Sequence, residues 1–404
     1  MAFKSSLQKF AGRYISPSIR LGFLLFGLGL LFWLVTNLDI KLPVNDYTLY
    51  WSSSKLLLSG ENPYNPEGLQ EYQAQVTGIN SGVVLMYYPP WTQLVLILLG
   101  LVDRVIGQLV WVLANTAIIV ICINLFWSHH GGSTRHRWLA WLVAFSFGPA
   151  FAALGFTGQI TPFFLLGLTG FLLLIDKPDR DWVTGLFLYF TAIKPQVLYL
   201  FFIFLFLWAV HQRRWKLLVG FACSLGVATG FVMIFDPQII SHFFETLSRN
   251  TPIAWATPTI GTYLRYYLGF EGFWVQFIPP LIAGVLSVLY WWRKRETWDW
   301  QAALPYVLFL SIITSPYTWT YDFVVLIIPL LIGTSLLLKH IPAWTALFFS
   351  CFYIILNSAY WWLHLSYSDF YFIWFAPALF IWFIMAELAA RYSPRISRIN
   401  LDEA

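Results

Sequence analysis

What most limits the folding of this chain is the placement of its apolar residues, which fall in many uninterrupted runs that cross or nearly cross the length of a bilayer. A crossing takes about 20 apolar residues to cover roughly 30 Å of hydrocarbon. Backbone groups in lipid must bond to one another, so such runs are helices or the wall of a closed barrel. Runs such as Leu21 to Val35 and Phe323 to Leu338 lack the strict alternation that a barrel wall requires. With 59% of its 404 residues hydrophobic and only 11% charged, the chain has too little polar surface for a soluble core. The expected fold is an all-α polytopic membrane protein.

Hydropathy marks about thirteen segments, the first at 21–38 and the last at 370–388. Basic residues gather on the cytoplasmic side. Arg135, Arg137, the Arg213 to Lys216 cluster, Arg293 to Arg295 and Arg391, Arg395 and Arg398 all fall inside if both termini are cytoplasmic. Two inside termini demand an even number of crossings, so we expect about 12 spans, with 88–102 the segment that does not cross. The pair 182–193 and 197–210 is short and leaves this parity unchanged. Residues 1–404 read as a single integral membrane domain. Its parts are a first external loop at 39–87, a second at 236–272 and a cytoplasmic tail at 389–404. Lys4, Lys9, Arg13 and Arg20 precede the first segment, which is expected to be a retained anchor. The net charge of +5 is a topology signal and calls for no nucleic-acid partner. Cys122, Cys223 and Cys351 lie inside apolar segments and read as packing residues.

The first external loop is the most polar stretch. Residues 46–58 form an expected interfacial helix on the membrane surface. Asn45 or Asp46 is its cap, Tyr47, Tyr50, Trp51, Leu57 and Leu58 its greasy stripe, and Gly60 its stop. A second short helix is expected at 259–268, between Pro258 and Gly269. Asp46 is a helix cap, a general base, or both. Lys194 sits between two apolar half-spans in Ile193-Lys194-Pro195-Gln196; a cation at that depth either snorkels or faces a cavity or anion, and the proline opens the helix there. Arg265 is a basic residue on the external side, facing lipid headgroups or an anionic ligand. Asp322 is a carboxylate at the mouth of a span, a structural cap, a partner for a cation or a site residue. Three tempting matches carry little. Asp179-Arg180-Asp181 lies in a charged turn read as solvated, His129, His130 and His136 have no carboxylate or thiolate nearby, and Gly27-Leu28-Gly29 lacks the strand and helix of a dinucleotide site.

In order, Asp46-Tyr47-Thr48-Leu49-Tyr50-Trp51, Gly60-Glu61-Asn62-Pro63-Tyr64, Tyr88-Pro89-Pro90, Gly158-Gln159-Ile160-Thr161, Ile193-Lys194-Pro195-Gln196 and Ser315-Pro316-Tyr317-Thr318-Trp319 resemble glycosyltransferase family 87, membrane mannosyltransferases of the GT-C superfamily. The resemblance runs from residue 20 to about residue 330. It implies a GT-C-like helix bundle that takes a hexose, mannose favoured, from a polyprenyl-phosphate sugar on the external face of the cell membrane and passes it to a lipid or glycan acceptor. Asp46 occupies the place of the family's acidic base. Lys194 and Arg265 are then candidates to hold the donor phosphate, and Tyr50, Tyr64, Tyr88, Gln159, Gln196, Trp319 and Asp322 to contact substrate. Family members often carry histidine just after the Ser-Pro-x-x-Trp element, whereas this chain has Thr320, Tyr321 and Asp322. That departure touches the choice of donor sugar and acceptor. No cofactor is expected, and a divalent metal is left open. Two other readings use similar architecture: a sugar-lipid flippase without bond chemistry, and a ligase or polymerase of polyprenyl-diphosphate glycans. Movement without product marks the first, and a diphosphate donor the second.

Overall fold

A computed structural model describes residues 45–77, 83–253, 255–269 and 272–392. The expected first span at 21–38 lies outside these residues, as does most of the 389–404 tail. Every described regular element is helical. We label the principal helices α1 (Asp46–Leu58), α2 (Pro66–Thr77), α3 (Arg104–His129), α4 (Arg137–Ser146), α5 (Pro162–Leu174), α6 (Asp181–Thr191), α7 (Tyr199–His211), α8 (Trp215–Val232), α9 (Ile239–Arg249), α10 (Ile260–Leu268), α11 (Ile278–Lys294), α12 (Trp300–Thr314), α13 (Ile327–His340), α14 (Ala343–His364) and α15 (Phe375–Tyr392).

Among the described residues 6 helices are long and apolar enough to cross a membrane, or 7 if the pair Thr134–Ser146 and Gly148–Gly155, bent by 69°, counts as one span. Pro90–Leu101, Pro162–Leu174, Tyr199–His211 and Trp300–Thr314 are apolar but shorter. Helix length alone thus accounts, among the described residues, for 6 or 7 of the roughly 12 expected spans, with four shorter apolar helices beside them. The shorter helices are set off by breaks: Pro162 opens α5, Lys194-Pro195 parts α6 from α7, and Pro90–Leu101 divides into two 3-10 turns around Gln93–Leu96. Large apolar side chains face outward, among them Val227, Leu281 and Trp344 at 71%, 69% and 76% exposure. So much exposed apolar surface marks a protein that meets lipid.

α6 lies between α5 and α8. A Cβ at Gly185 would stand 2.5 Å from the Leu217 carbonyl oxygen, so only glycine lets the two backbones approach this closely. The Asp179 to Asp181 turn is not wholly solvated as expected: Asp181 is buried and takes the Arg214 Nε–H at 2.8 Å, pinning α6 to the start of α8. Cys122 is buried, but Cys223 and Cys351 face outward.

α1 forms over the expected residues but does not lie exposed on a surface. Tyr47, Leu49, Tyr50, Leu56 and Leu57 are buried, and so are Ser52, Ser53 and Ser54. It packs against α2, α3 and the 97–101 turn. The polar side buries without penalty because each serine hydroxyl finds a carbonyl: Ser52 donates to Thr48 at 2.8 Å, Ser53 to Pro63 at 3.1 Å and Ser54 to Leu96 at 2.8 Å. α10 matches the expected second helix, capped by Thr259 and stopped by Gly269 at φ +62°.

Candidate active site

Asn45, not Asp46, caps α1: its Oδ1 accepts the Thr48 N–H at 3.1 Å. Asp46 is thereby left as the first helical residue, its carboxyl free of the cap and turned toward a cavity of about 560 Å³. The helix dipole favours its negative charge. Burial works against it and pushes its pKa up to about 6, opposed by the Lys194 charge and the Gln159 amide and reinforced by Asp322. Such a carboxyl is ionised near neutrality yet basic enough to take a proton.

The wall behind Asp46 is built by an unusual turn. A π-helical stretch, Ala152–Thr157, ends at Gly158 with φ +63°, a left-handed conformation that glycine adopts freely. A Cβ there would lie 2.8 Å from that of Tyr47, so this glycine lets α1 close on the turn. Trp111 Nε1 donates to the Gly158 carbonyl at 2.6 Å. Gln159 then projects its Oε1 as an acceptor for Tyr50 at 3.0 Å, Tyr88 at 3.2 Å and Lys194 at 3.4 Å. The Tyr50 and Tyr88 hydroxyls are 2.6 Å apart, and Tyr64 donates to the Tyr88 carbonyl at 2.8 Å. Burial pushes the Tyr88 phenol up to about 12, so it serves as a donor and not as a base.

Lys194 stands at the helix break that Pro195 enforces. The break is held from both sides: Trp91 donates to Ala192 at 2.9 Å, Ser315 to Gln196 at 2.9 Å and Ser311 to Val197 at 2.8 Å. The ammonium is buried against Asp322 at 2.9 Å, with the Tyr88 and Tyr321 rings at 5.2 and 4.8 Å. Burial alone would strip its proton, but the Asp322 carboxylate, followed by Tyr88 and Asp46, outweighs burial and raises its pKa. Asp322 also accepts the Trp319 N–H at 3.0 Å. It is both cap and cation partner, and its two oxygens are engaged.

Asp46, Tyr88, Lys194, Gln196, Trp319 and Asp322 line the cavity. Tyr50 and Gln159 stand behind them, and Tyr64 acts through the Tyr88 backbone. Arg265 is the exception. It is absent from the lining, and its guanidinium goes to Gln276 Oε1 at 3.1 Å and to the Ile253 carbonyl. It straps the 250–255 loop and stands beside the Tyr317 phenol, so it adjoins the cavity only through that lining residue. Sequence reasoning named the 236–272 loop but gave no site role to its Asn250, Thr251, Pro252 and Trp255, which reach the cavity, nor to Tyr87, Tyr317 and Tyr321. A signal for one of them was present: Tyr317 and Trp319 are two positions apart in irregular chain before the 320–326 turn, a spacing that in extended backbone faces one way. Trp255 knits this aromatic wall, with ring centroids 4.9 Å from Tyr87, 5.7 Å from Tyr317 and 5.8 Å from Trp319.

Five sequence elements thus converge on one cavity that holds one unpaired carboxyl, one cation and a wall of aromatic rings. Among the described residues no group of three or more His, Cys, Asp or Glu side chains is placed to hold a metal ion. A family model described as glycosyltransferase family 87 matches residues 87–316. That region includes Tyr88, Gln159, Lys194 and Gln196, while Asp46 and Asp322 lie on either side of it. No curated protein and no solved structure matches the chain.

Proposed function

The family match covers more than half of the chain, which therefore belongs to glycosyltransferase family 87, and from that premise we propose that this membrane glycosyltransferase moves a hexose, mannose favoured, from a polyprenyl-phosphate sugar to a lipid or glycan acceptor on the external face of the cell membrane. One observation carries the reading: the Asp46 carboxyl, free of ion pairs and caps, shares a cavity with the Lys194 ammonium. An acceptor hydroxyl oxygen attacks the anomeric carbon while Asp46 takes its proton. The bond from that carbon to the phosphate oxygen breaks, the electron pair leaves with the polyprenyl phosphate, and the centre inverts in a single displacement.

A phosphate monoester has a second pKa of roughly 6, so it departs without a general acid, and one carboxylate suffices where glycosidases need two. Lys194 meets the charge that the phosphate gains, an effect of about 3 kcal/mol for one well-placed donor. Arg265, engaged elsewhere, takes no part. The rings of Trp255, Trp319 and Tyr321 offer faces on which sugars stack, and an apolar surround suits a prenyl tail.

The test is transfer of labelled mannose, and separately glucose, from its polyprenyl phosphate in membranes carrying wild type or Asp46→Asn. Wild type transfers and the variant does not. Retained turnover by the variant removes Asp46 from the mechanism, and sugar-lipid movement without product favours a flippase. Stability separates lost chemistry from misfolding. The folded pKa of Asp46, about 6, lies above its ordinary 3.8, so its contribution to stability is fullest below about pH 3.8 and is lost as pH rises through about 6. Asp46→Asn therefore stabilises the fold at pH 8, on the order of 2 kcal/mol after allowing for screening by water in the cavity, and gives no gain at pH 4.

A further inference from the structure

Outside the cavity lining, at the start of α3, stands a second cation that the chemistry above does not use. Arg104 opens α3 and is only 8% exposed. Among the described residues no ion pair forms with it, and its Nη1 is buried without a hydrogen-bond partner. The neighbouring acid makes no ion pair with it: Asp103 caps the helix by accepting the Val105 N–H at 2.8 Å, and its charge favours the guanidinium only at longer range. The Tyr47 hydroxyl, in the field of Arg104, is likewise buried and unpartnered. It reaches the first turn of α3 because Gly107 has no side chain, for a Cβ there would stand 2.3 Å from that hydroxyl.

A buried guanidinium and a buried phenol with no acceptor are both costly, and both are donors. They meet at the start of a 26-residue helix, where the backbone dipoles favour an anion. Around them the surface is apolar: Leu98, Leu101, Val102, Ile106 and Val110 are all exposed. The anions that reach a guanidinium from such a surface are lipid phosphates, which match its planar fork.

We propose that Arg104 and the Tyr47 hydroxyl form a second anion site, which holds the phosphate of a membrane lipid against the start of α3, its tail lying along Leu101, Ile106 and Val110. The chemistry is that of a phosphate ester on an apolar chain, whether of a bilayer phospholipid or of a free polyprenyl phosphate. Occupancy braces Tyr47, and through it the end of α1 that carries Asp46. The site does not depend on the catalytic reading.

Native mass spectrometry of the whole chain in detergent, incubated in turn with phosphatidylglycerol, phosphatidylcholine and polyprenyl phosphate, tests it. Wild type retains one tightly held lipid. Arg104→Gln binds it about ten- to a hundredfold more weakly, the loss expected for charge-assisted hydrogen bonds, and Tyr47→Phe loses less. Retention of a glycerophospholipid identifies the bilayer as the source, whereas retention of polyprenyl phosphate alone identifies the carrier lipid. Equal retention of all three lipids by wild type and Arg104→Gln overturns the proposal. Arg104→Met guards against a folding artefact. In lipid-free detergent it melts at or above the wild-type temperature, because it removes an uncompensated charge. A marked fall would show the guanidinium already satisfied within the protein and would equally overturn the site.

Discussion

Removing both members of the Lys194–Asp322 pair should destabilise the fold by clearly less than the sum of the two single losses. The two side chains are 9% and 1% exposed and meet at 2.9 Å, where an effective dielectric of about 20 gives roughly 6 kcal/mol of attraction before desolvation is counted. Asp322→Asn keeps an acceptor for the Trp319 N–H but leaves the ammonium with Gln159 at 3.4 Å, two ring faces and the more distant Asp46 charge. Stranding one buried charge costs about 3–5 kcal/mol; the ring faces and cavity water place this case near the lower end. Lys194→Met strands the carboxylate in the same way. The double variant strands neither, so it should cost about 2–3 kcal/mol less than the sum of the single losses. Denaturant titration in detergent micelles, followed by fluorescence across this cycle, measures the coupling. Additive losses, or single losses below about 1 kcal/mol, would show that the pair is loose and solvated and would refute the reasoning.

The same charges set the pH dependence of transfer. Lys194 lowers the Asp46 pKa and Asp322 raises it, so the acid limb, near pH 6 in wild type, should move to higher pH in Lys194→Met and to lower pH in Asp322→Asn; rate profiles showing no shift, or shifts of opposite sign, would separate Asp46 from that limb. Gly158→Ala should lose about 1–3 kcal/mol, because its backbone is left-handed and the new Cβ would press on that of Tyr47 at 2.8 Å. It should also lose transfer by displacing Asp46, and an unchanged melting temperature would show that the turn gives way.

Much of the site was legible because its chemistry is local in sequence. A proline after a lone lysine between apolar runs marks an opened helix lined by a cation, and Lys194 is found there. An Asn-Asp pair before an aromatic helix leaves one residue to cap and one to spare, although only the structure shows that Asn45 caps. The rest depends on direction. Arg265 lies on α10, which forms where expected, but its guanidinium goes to Gln276, and hydropathy does not report which way a side chain turns. The stripe on α1 was visible, but not the protein that covers its other side, because Ser52, Ser53 and Ser54 look solvent-facing until their carbonyl partners are known. The breaks at Pro90–Leu101 and between α6 and α7 were legible from prolines and short lengths, whereas the 69° bend between Thr134–Ser146 and Gly148–Gly155 was not, because average hydropathy does not report a change of direction.

The serines of α1 also bear on how the protein is made. The polar contacts of the cavity join residues far apart in the chain, 109 positions for Tyr50 with Gln159 and 128 for Lys194 with Asp322. A chain synthesised from its N-terminus must therefore carry α1 until Gln159 is made, and Lys194 until Asp322 is, before these partners exist. Within α1 the bonds are short-range: Ser52 reaches back 4 positions to Thr48, Ser54 4 positions to Tyr50, and Ser53 only 10 positions ahead to Pro63. The hydroxyls are paired as soon as the helix and its following turn form. A nascent α1 can thus wait beside the membrane without exposing unpaired hydroxyls, and the cavity closes only when Asp322 arrives.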